Sequence, residues 1–203
     1  DVHNSELPVL CVSCEVRHRG ACGVLPPEKL LQLAKHSSKQ QFESQQEIQG
    51  EGEKVERYAT ILKGIVKLSK LAPDGRKQIV GLQFAPDFLG RPFARESGIT
   101  VEATTDVRIC SFPRAVLDDI VQQSPELKPK LLDQTLRELD EARDWMLTLG
   151  RKNASEKLAT FLCLLANNLD PEHGQGAGAV TFDIPLTRSE IADFLGLTIE
   201  TVS

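Results

Sequence analysis

Between about Gln40 and Phe112 the chain consists of short runs of β-branched and apolar residues separated by glycine, with no helical run among them. Tyr58-Ala59-Thr60-Ile61-Leu62 and Ile65-Val66-Lys67-Leu68-Ser69 flank Lys63-Gly64, and Pro73-Asp74-Gly75 turns the chain into Lys77 through Phe84. Gly50, Gly52, Gly64, Gly75, Gly81, Gly90 and Gly98 recur at turn spacing, and Val101 to Phe112 reads as further strand. Parallel strands need crossovers of a dozen or more residues, so strands this close together pair antiparallel. The expectation is an antiparallel barrel or sandwich.

Helical patterns flank this region, making the class α+β. Pro27 to His36 predicts a short helix with Leu30, Leu31 and Leu33 on one side, and Pro113 is placed to open another. Residues 126 to 149 hold almost no strand former and no glycine. Leu132, Leu136, Leu139 and Met146 approximate one coiled-coil seam, with Arg143 interposed. The seam serves either packing on the chain's own barrel or pairing of subunits. A helix of about 24 residues spans roughly 36 Å, more than covering a small barrel requires, which favours a second surface.

Gly150-Arg151-Lys152-Asn153 reads as a hinge, and Ala154 to Leu169 as a helix with Leu158, Phe161, Leu162 and Leu165 on its apolar side. Gly174 to Gly178 marks a loose turn, and Ala179 to Ile184 a short strand. Thr187 and Glu190 fit a capping box for a helix carrying Ile191, Phe194 and Leu195. Gly196 ends that helix and Thr198 opens another. Two short helices joined by a glycine turn predict a helix-turn-helix whose second helix continues past Ser203.

Cys11 and Cys14 form a C-x2-C pair, and Cys22 follows after seven intervening residues. The segment between them has few apolar side chains, so an external agent is expected to order it. Three thiolates leave one tetrahedral position open, and soft sulfur ligands favour zinc or an iron-sulfur centre. Cys110, at the end of the strand region, is the candidate fourth ligand, with His18 as its substitute in a zinc site. Cys163 sits among Phe161, Leu162 and Leu165 and reads as a small apolar core residue.

The charge of -5 argues against a chain coated in nucleic acid, although a small basic patch remains compatible with it. No apolar run reaches the length of a membrane span, and Asp1-Val2-His3-Asn4 opens no export signal, so the cytoplasm is the expected compartment. No H-E-x-x-H, nucleophile elbow or Walker A run is present, and the pairs Asp118-Asp119 and Asp140-Glu141 read as solvated helix faces. An enzyme is not expected.

Taken in order, these parts resemble the CRP/FNR superfamily of bacterial transcription regulators, and within it the oxygen-responsive FNR branch of FnrN or FnrL type. The likeness spans the chain: the cysteine arm, Gly64-Ile65-Val66-Lys67, Pro73-Asp74-Gly75 with Gln78-Ile79-Val80-Gly81, Asp87-Phe88-Leu89-Gly90, Cys110, Arg151 through Ala159, Thr187 through Ala192, and Leu195 through Ser203. The resemblance implies a cupin-like jelly-roll barrel of cyclic-nucleotide-binding-domain type, a long dimerisation helix and a winged helix-turn-helix, truncated in this chain. The corresponding domains are a cysteine arm at 1–23, a sensor barrel at 24–112, a dimerisation region at 113–149 and a DNA-binding domain at 150–203. It further implies a [4Fe-4S] cluster on Cys11, Cys14, Cys22 and Cys110, a homodimer on a palindromic DNA operator, RNA polymerase as a partner, and activation in the absence of oxygen. The alternatives are a regulator of the same architecture whose cysteine centre holds zinc or works as a thiol switch and, more distantly, a zinc-stabilised dimeric adaptor that does not bind DNA. Glu200 and Ser203 fall on the family's base-contacting positions.

The chain also departs from the family pattern. The spacing from Cys14 to Cys22 is longer than in the best-known member, and Ala142 stands where an acid is common in the seam. Arg76 and Lys77 replace acids that some relatives use to touch RNA polymerase. The Gly-Glu and Arg-Ser phosphate-binding pattern is missing, so no cyclic nucleotide is expected. Residues 151–203 carry more acidic than basic side chains, which is unusual for a complete DNA-binding domain.

Overall fold

The computed structural model describes residues 7–169 and 181–203. Its helices are α1 (Val9–Val12), α2 (Pro27–Ala34), α3 (Arg114–Gln123), α4 (Leu127–Arg151), α5 (Ala154–Leu169), α6 (Arg188–Leu195) and α7 (Ile199–Val202). Its strands are β1 (Ser38–Phe42), β2 (Glu47–Gln49), β3 (Arg57–Lys63), β4 (Ile65–Leu71), β5 (Lys77–Phe84), β6 (Phe88–Leu89), β7 (Thr100–Ala103) and β8 (Val107–Pro113).

The strands form two separate four-stranded sheets, ordered β1-β8-β3-β6 and β2-β7-β4-β5. The expected closed barrel is therefore corrected to an open pair of sheets. The two-residue β6 and the three-residue β2 end their sheets, leaving too little backbone to hydrogen-bond one sheet to the other. Side chains join the sheets instead: Ala59, Ile61, Leu89, Val107 and Ile109 of the first pack with Val66, Val101 and Ala103 of the second. The expected strand from Val101 to Phe112 is two strands, split at 104–106.

The first sheet is apolar on its other face too, which explains the unbroken buried run Tyr58 to Ile61 in β3. Tyr58, Phe88 and Phe112 on that face meet Leu30 and Leu33 of α2, Leu117, Ile120 and Val121 of α3, and Leu127 and Leu131 of α4. Gly64 makes the β3-to-β4 turn with φ 94°, and a Cβ there would lie 2.4 Å from the Asp106 carbonyl oxygen, so only glycine fits.

Two compact units result. One contains the chain up to Leu68 and Leu82–Arg137; the other contains Ser69–Gly81 and Glu138–Ser203. In the second unit, Phe194 of α6 lies edge-on to Trp145 of α4, with ring centroids 4.4 Å apart, and 5.7 Å from Phe161 of α5. Gly150 lies within α4, so the break between α4 and α5 narrows to Lys152 and Asn153. Cys163 is exposed, correcting its expected core placement: it lies on the face of α5 away from buried Phe161 and Leu165. The turn at Gly174 to Gly178, with Ala179 and Val180, lies outside the described residues. Thr181 to Ile184 does not form strand, and among the described residues of the second unit no strand follows α4 to build a wing. Among the described residues no helix is long and apolar enough to cross a membrane.

Candidate functional site

The helix-turn-helix is built by local capping. The Glu190 N–H donates to Thr187 Oγ1 at 3.2 Å, and the Thr187 N–H donates to Glu190 Oε2 at 2.8 Å, closing the predicted capping box. Gly196 ends α6 in the left-handed conformation, φ 59° and ψ 44°. Thr198 caps α7, accepting from the Thr201 N–H at 3.3 Å. The apolar face of α6, with Ile191, Phe194 and Leu195, is buried.

Glu200 and Ser203 stand three residues apart and are both exposed, as are Thr198 and Thr201. Hydrogen bonds from its own backbone N–H and from Thr198 hold the Glu200 carboxyl below its usual range, so it is an anion at neutral pH. The Ser203 hydroxyl donates to the Ile199 carbonyl at 2.9 Å. Two residues to which the sequence assigned no role bind the end of α6. Gln78 Nε2 donates to the carbonyls of Asp193 at 2.5 Å and Phe194 at 3.3 Å, and Lys157 Nζ donates to that of Leu195 at 3.2 Å. Neither carries a distinguishing signal in the sequence: Gln78 follows Lys77 at the start of β5, and Lys157 follows Ser155 and Glu156 in α5.

The seam residues Leu132, Leu136, Leu139 and Met146 are 59%, 50%, 44% and 73% exposed, and Leu147, which the spacing did not mark, is 60% exposed. Their own chain therefore leaves this stripe largely uncovered. Arg143 stays in solvent, paired with Asp140 at 3.0 Å.

The cysteine arm does not form the expected centre. Burial, followed by the neighbouring thiols Cys110, Cys11 and Cys14, pushes Cys22 up to about 12. Burial, followed by Cys11 and Cys14, pushes Cys110 up to about 11, and burial likewise raises Cys11. The four sulfurs are near enough to influence one another. Even so, among the described residues no group of three or more His, Cys, Asp and Glu side chains could hold a metal ion. The [4Fe-4S] assignment to Cys11, Cys14, Cys22 and Cys110, the zinc and thiol-centre alternatives, and the oxygen switch built on them are corrected accordingly.

The reason lies in what orders the arm. Val16, Ala21 and Leu25 are buried, and Leu7, Cys11 and Cys22 pack against the apolar cluster beneath the first sheet. Apolar contact orders the arm, and the half-buried thiols of Cys11 and Cys22 pack beside it as small hydrophobes. The substitute ligand His18 is engaged elsewhere, its Nε2 accepting from Arg17 Nη2 at 2.6 Å.

Residues 39–124 match the cyclic nucleotide-binding domain family, and residues 156–203 match the Crp-like helix-turn-helix domain family. The chain is 52% identical to a probable transcriptional activator of Rhizobium leguminosarum bv. viciae, over 100% of this chain and 85% of that protein. It is 40% identical to the transcriptional activator protein FnrL of Cereibacter sphaeroides, over 98% of this chain and 82% of that protein. The solved structure of FixK2 from Bradyrhizobium japonicum superposes with a TM-score of 0.72 at 32% identity, covering 82% of this chain and 80% of that one.

Proposed function

Because this chain belongs to the CRP/FNR superfamily, close to its FNR, FixK and Anr regulators, we propose that it binds a two-fold symmetric DNA operator as a homodimer and activates transcription there. It is a regulator, not an enzyme. The observation that carries the reading is the doubly capped helix-turn-helix, whose second helix presents Glu200 and Ser203 to solvent. An ionised Glu accepts from cytosine N4, and a serine hydroxyl serves several base edges in the major groove. The exposed stripe Leu132, Leu136, Leu139 and Met146 supplies the subunit seam, since pairing two such helices covers what each chain leaves bare.

The functional divisions are the arm at 1–23, the sheet domain at 24–112, the dimerisation region at 113–149 and the reading domain at 150–203, and the place of action is the cytoplasm. Activation engages RNA polymerase, with the 72–77 turn presenting Lys77 beside the Asp74–Arg76 ion pair in place of an acidic contact. The sheet domain works without a cyclic nucleotide: Arg91 and Arg95, the arginines after β6, both face solvent, which supports this reading.

The test selects duplexes from a random-sequence pool with the full-length protein, then titrates the winner and a scrambled control at fixed salt. A two-fold symmetric winner bound by two protomers is the expected result. No enrichment over the scrambled control would refute the reading.

A further inference from the structure

Every helix leaves its last carbonyls without intrahelical partners. At the end of α6, side chains from two other segments take three of them in succession: Gln78, near the start of β5, takes Asp193 and Phe194, and Lys157 of α5 takes Leu195. Gln78 Nε2 also lies 3.1 Å from the Ile79 carbonyl of its own strand. Lys157 is 9% exposed and Phe194 2%, so these contacts are shielded from water. From α4, the Trp145 ring meets Phe194, and Leu149 Cδ2 lies 3.9 Å from where a Cβ on Gly196 would stand. The hairpin Ser69–Gly81 accordingly forms one compact unit with Glu138–Ser203.

Three residues, 196–198, separate α6 from α7, so the direction of α7 follows from how the last turn of α6 is held. We propose that Gln78 is a positioning residue for DNA reading: its amide fixes the end of α6 and thereby the angle at which α7 presents Glu200 and Ser203. This rests on the reading of α6 and α7 as the DNA-binding element. The amide suits the task because it brings N–H donors to a row of carbonyl oxygens. A carboxylate of the same shape would meet those oxygens with no hydrogen to share.

Gln78→Glu and Gln78→Lys, the second of which keeps the donors, separate position from fold. Trp145 is the only tryptophan in the sequence, so its emission and acrylamide quenching report the Phe194 contact without DNA. Expected for Gln78→Glu are a red shift and increased quenching in this chain and, in the full-length protein, roughly tenfold weaker binding to the duplex selected by wild type, the loss of about one such hydrogen bond. Affinity for the scrambled duplex should hold, and Gln78→Lys should recover both readouts. Wild-type quenching in Gln78→Glu overturns the contact, increased quenching with unchanged selected-duplex binding overturns the positioning role, and failure of Gln78→Lys to recover either readout overturns the role of the donors. Wild type binding neither duplex would instead refute the DNA-binding reading, while the fluorescence still judges the contact.

Discussion

The Tyr58 hydroxyl donates to Asp118 Oδ1 at 3.2 Å and accepts the Phe93 N–H at 2.9 Å, joining β3, α3 and the loop after β6 through one atom. Arg114 Nε holds the other Asp118 oxygen at 3.1 Å. Phe93 is 54% exposed and sits at φ 67°, a conformation an aromatic residue seldom adopts. Gly90 has φ 124°, and a Cβ there would lie 2.5 Å from the Tyr58 ring.

Tyr58→Phe should therefore remove about 1–3 kcal/mol of stability, because the Phe93 N–H loses its acceptor and Asp118 loses a donor. Urea unfolding followed by circular dichroism measures this. A change within error would mean that the loop carries its own conformation.

The same contact sets a pH window. Burial first, and the Asp118 charge second, push the Tyr58 phenol from 10.0 up to about 12. Below pH 10 the proton is held in both folded and unfolded chains, so the stabilisation is complete. Between about 10 and 12 the unfolded chain ionises first, and stability falls as pH rises. Tyr58→Phe should flatten that part of the stability profile.

What the sequence made legible was local. Thr187, Glu190 and Gly196 act through their immediate neighbours, and both ends of α6 stand where their spacing put them. Residue spacing likewise identified the exposed stripe on α4. What escaped was decided by contacts distant along the chain. Asp118 read as half of a solvated pair because its partner Tyr58 lies sixty residues earlier. The arm looked too polar to fold because Ala21 and Leu25 join an apolar cluster whose other members come from α2, α3 and more distant elements. A C-x2-C spacing shows that two sulfurs can share a metal, and only the packing around Cys22 and Cys110 shows how the chain uses them.

That packing predicts an order of thiol reactivity. The thiolate is the reacting form, so raised and buried thiols alkylate slowly. With iodoacetamide at pH 8, mass spectrometry should find exposed Cys163 modified first and Cys22 last. In concentrated urea the difference should vanish. Equal rates in the folded protein would show that the arm is not packed on the apolar cluster.

Leu139→Glu places a carboxylate in the middle of the proposed seam. The side chain is 44% exposed in the single chain, so the fold should lose little, within about 0.5 kcal/mol. In a dimer the same carboxylate would be buried against an apolar partner without a hydrogen bond. Sedimentation velocity should show a monomer with an unchanged circular dichroism spectrum. A persistent dimer would place the subunit contact elsewhere.

Glu200→Ala separates base reading from attraction to the phosphates. An anion cannot contact a phosphate favourably, so removing Glu200 should leave scrambled-duplex affinity and the salt slope nearly unchanged. Selectivity at one position of each half-site should fall by about 1–3 kcal/mol, since cytosine N4 loses its acceptor there. The carboxyl lies below its ordinary value of 4.5, so the wild-type preference should be the same at pH 5 as at pH 7. Repeating the random-pool selection with both proteins reads the result directly. A variant that loses scrambled and selected duplexes alike would assign Glu200 to holding α7 together, through its bond with Thr198, rather than to reading a base.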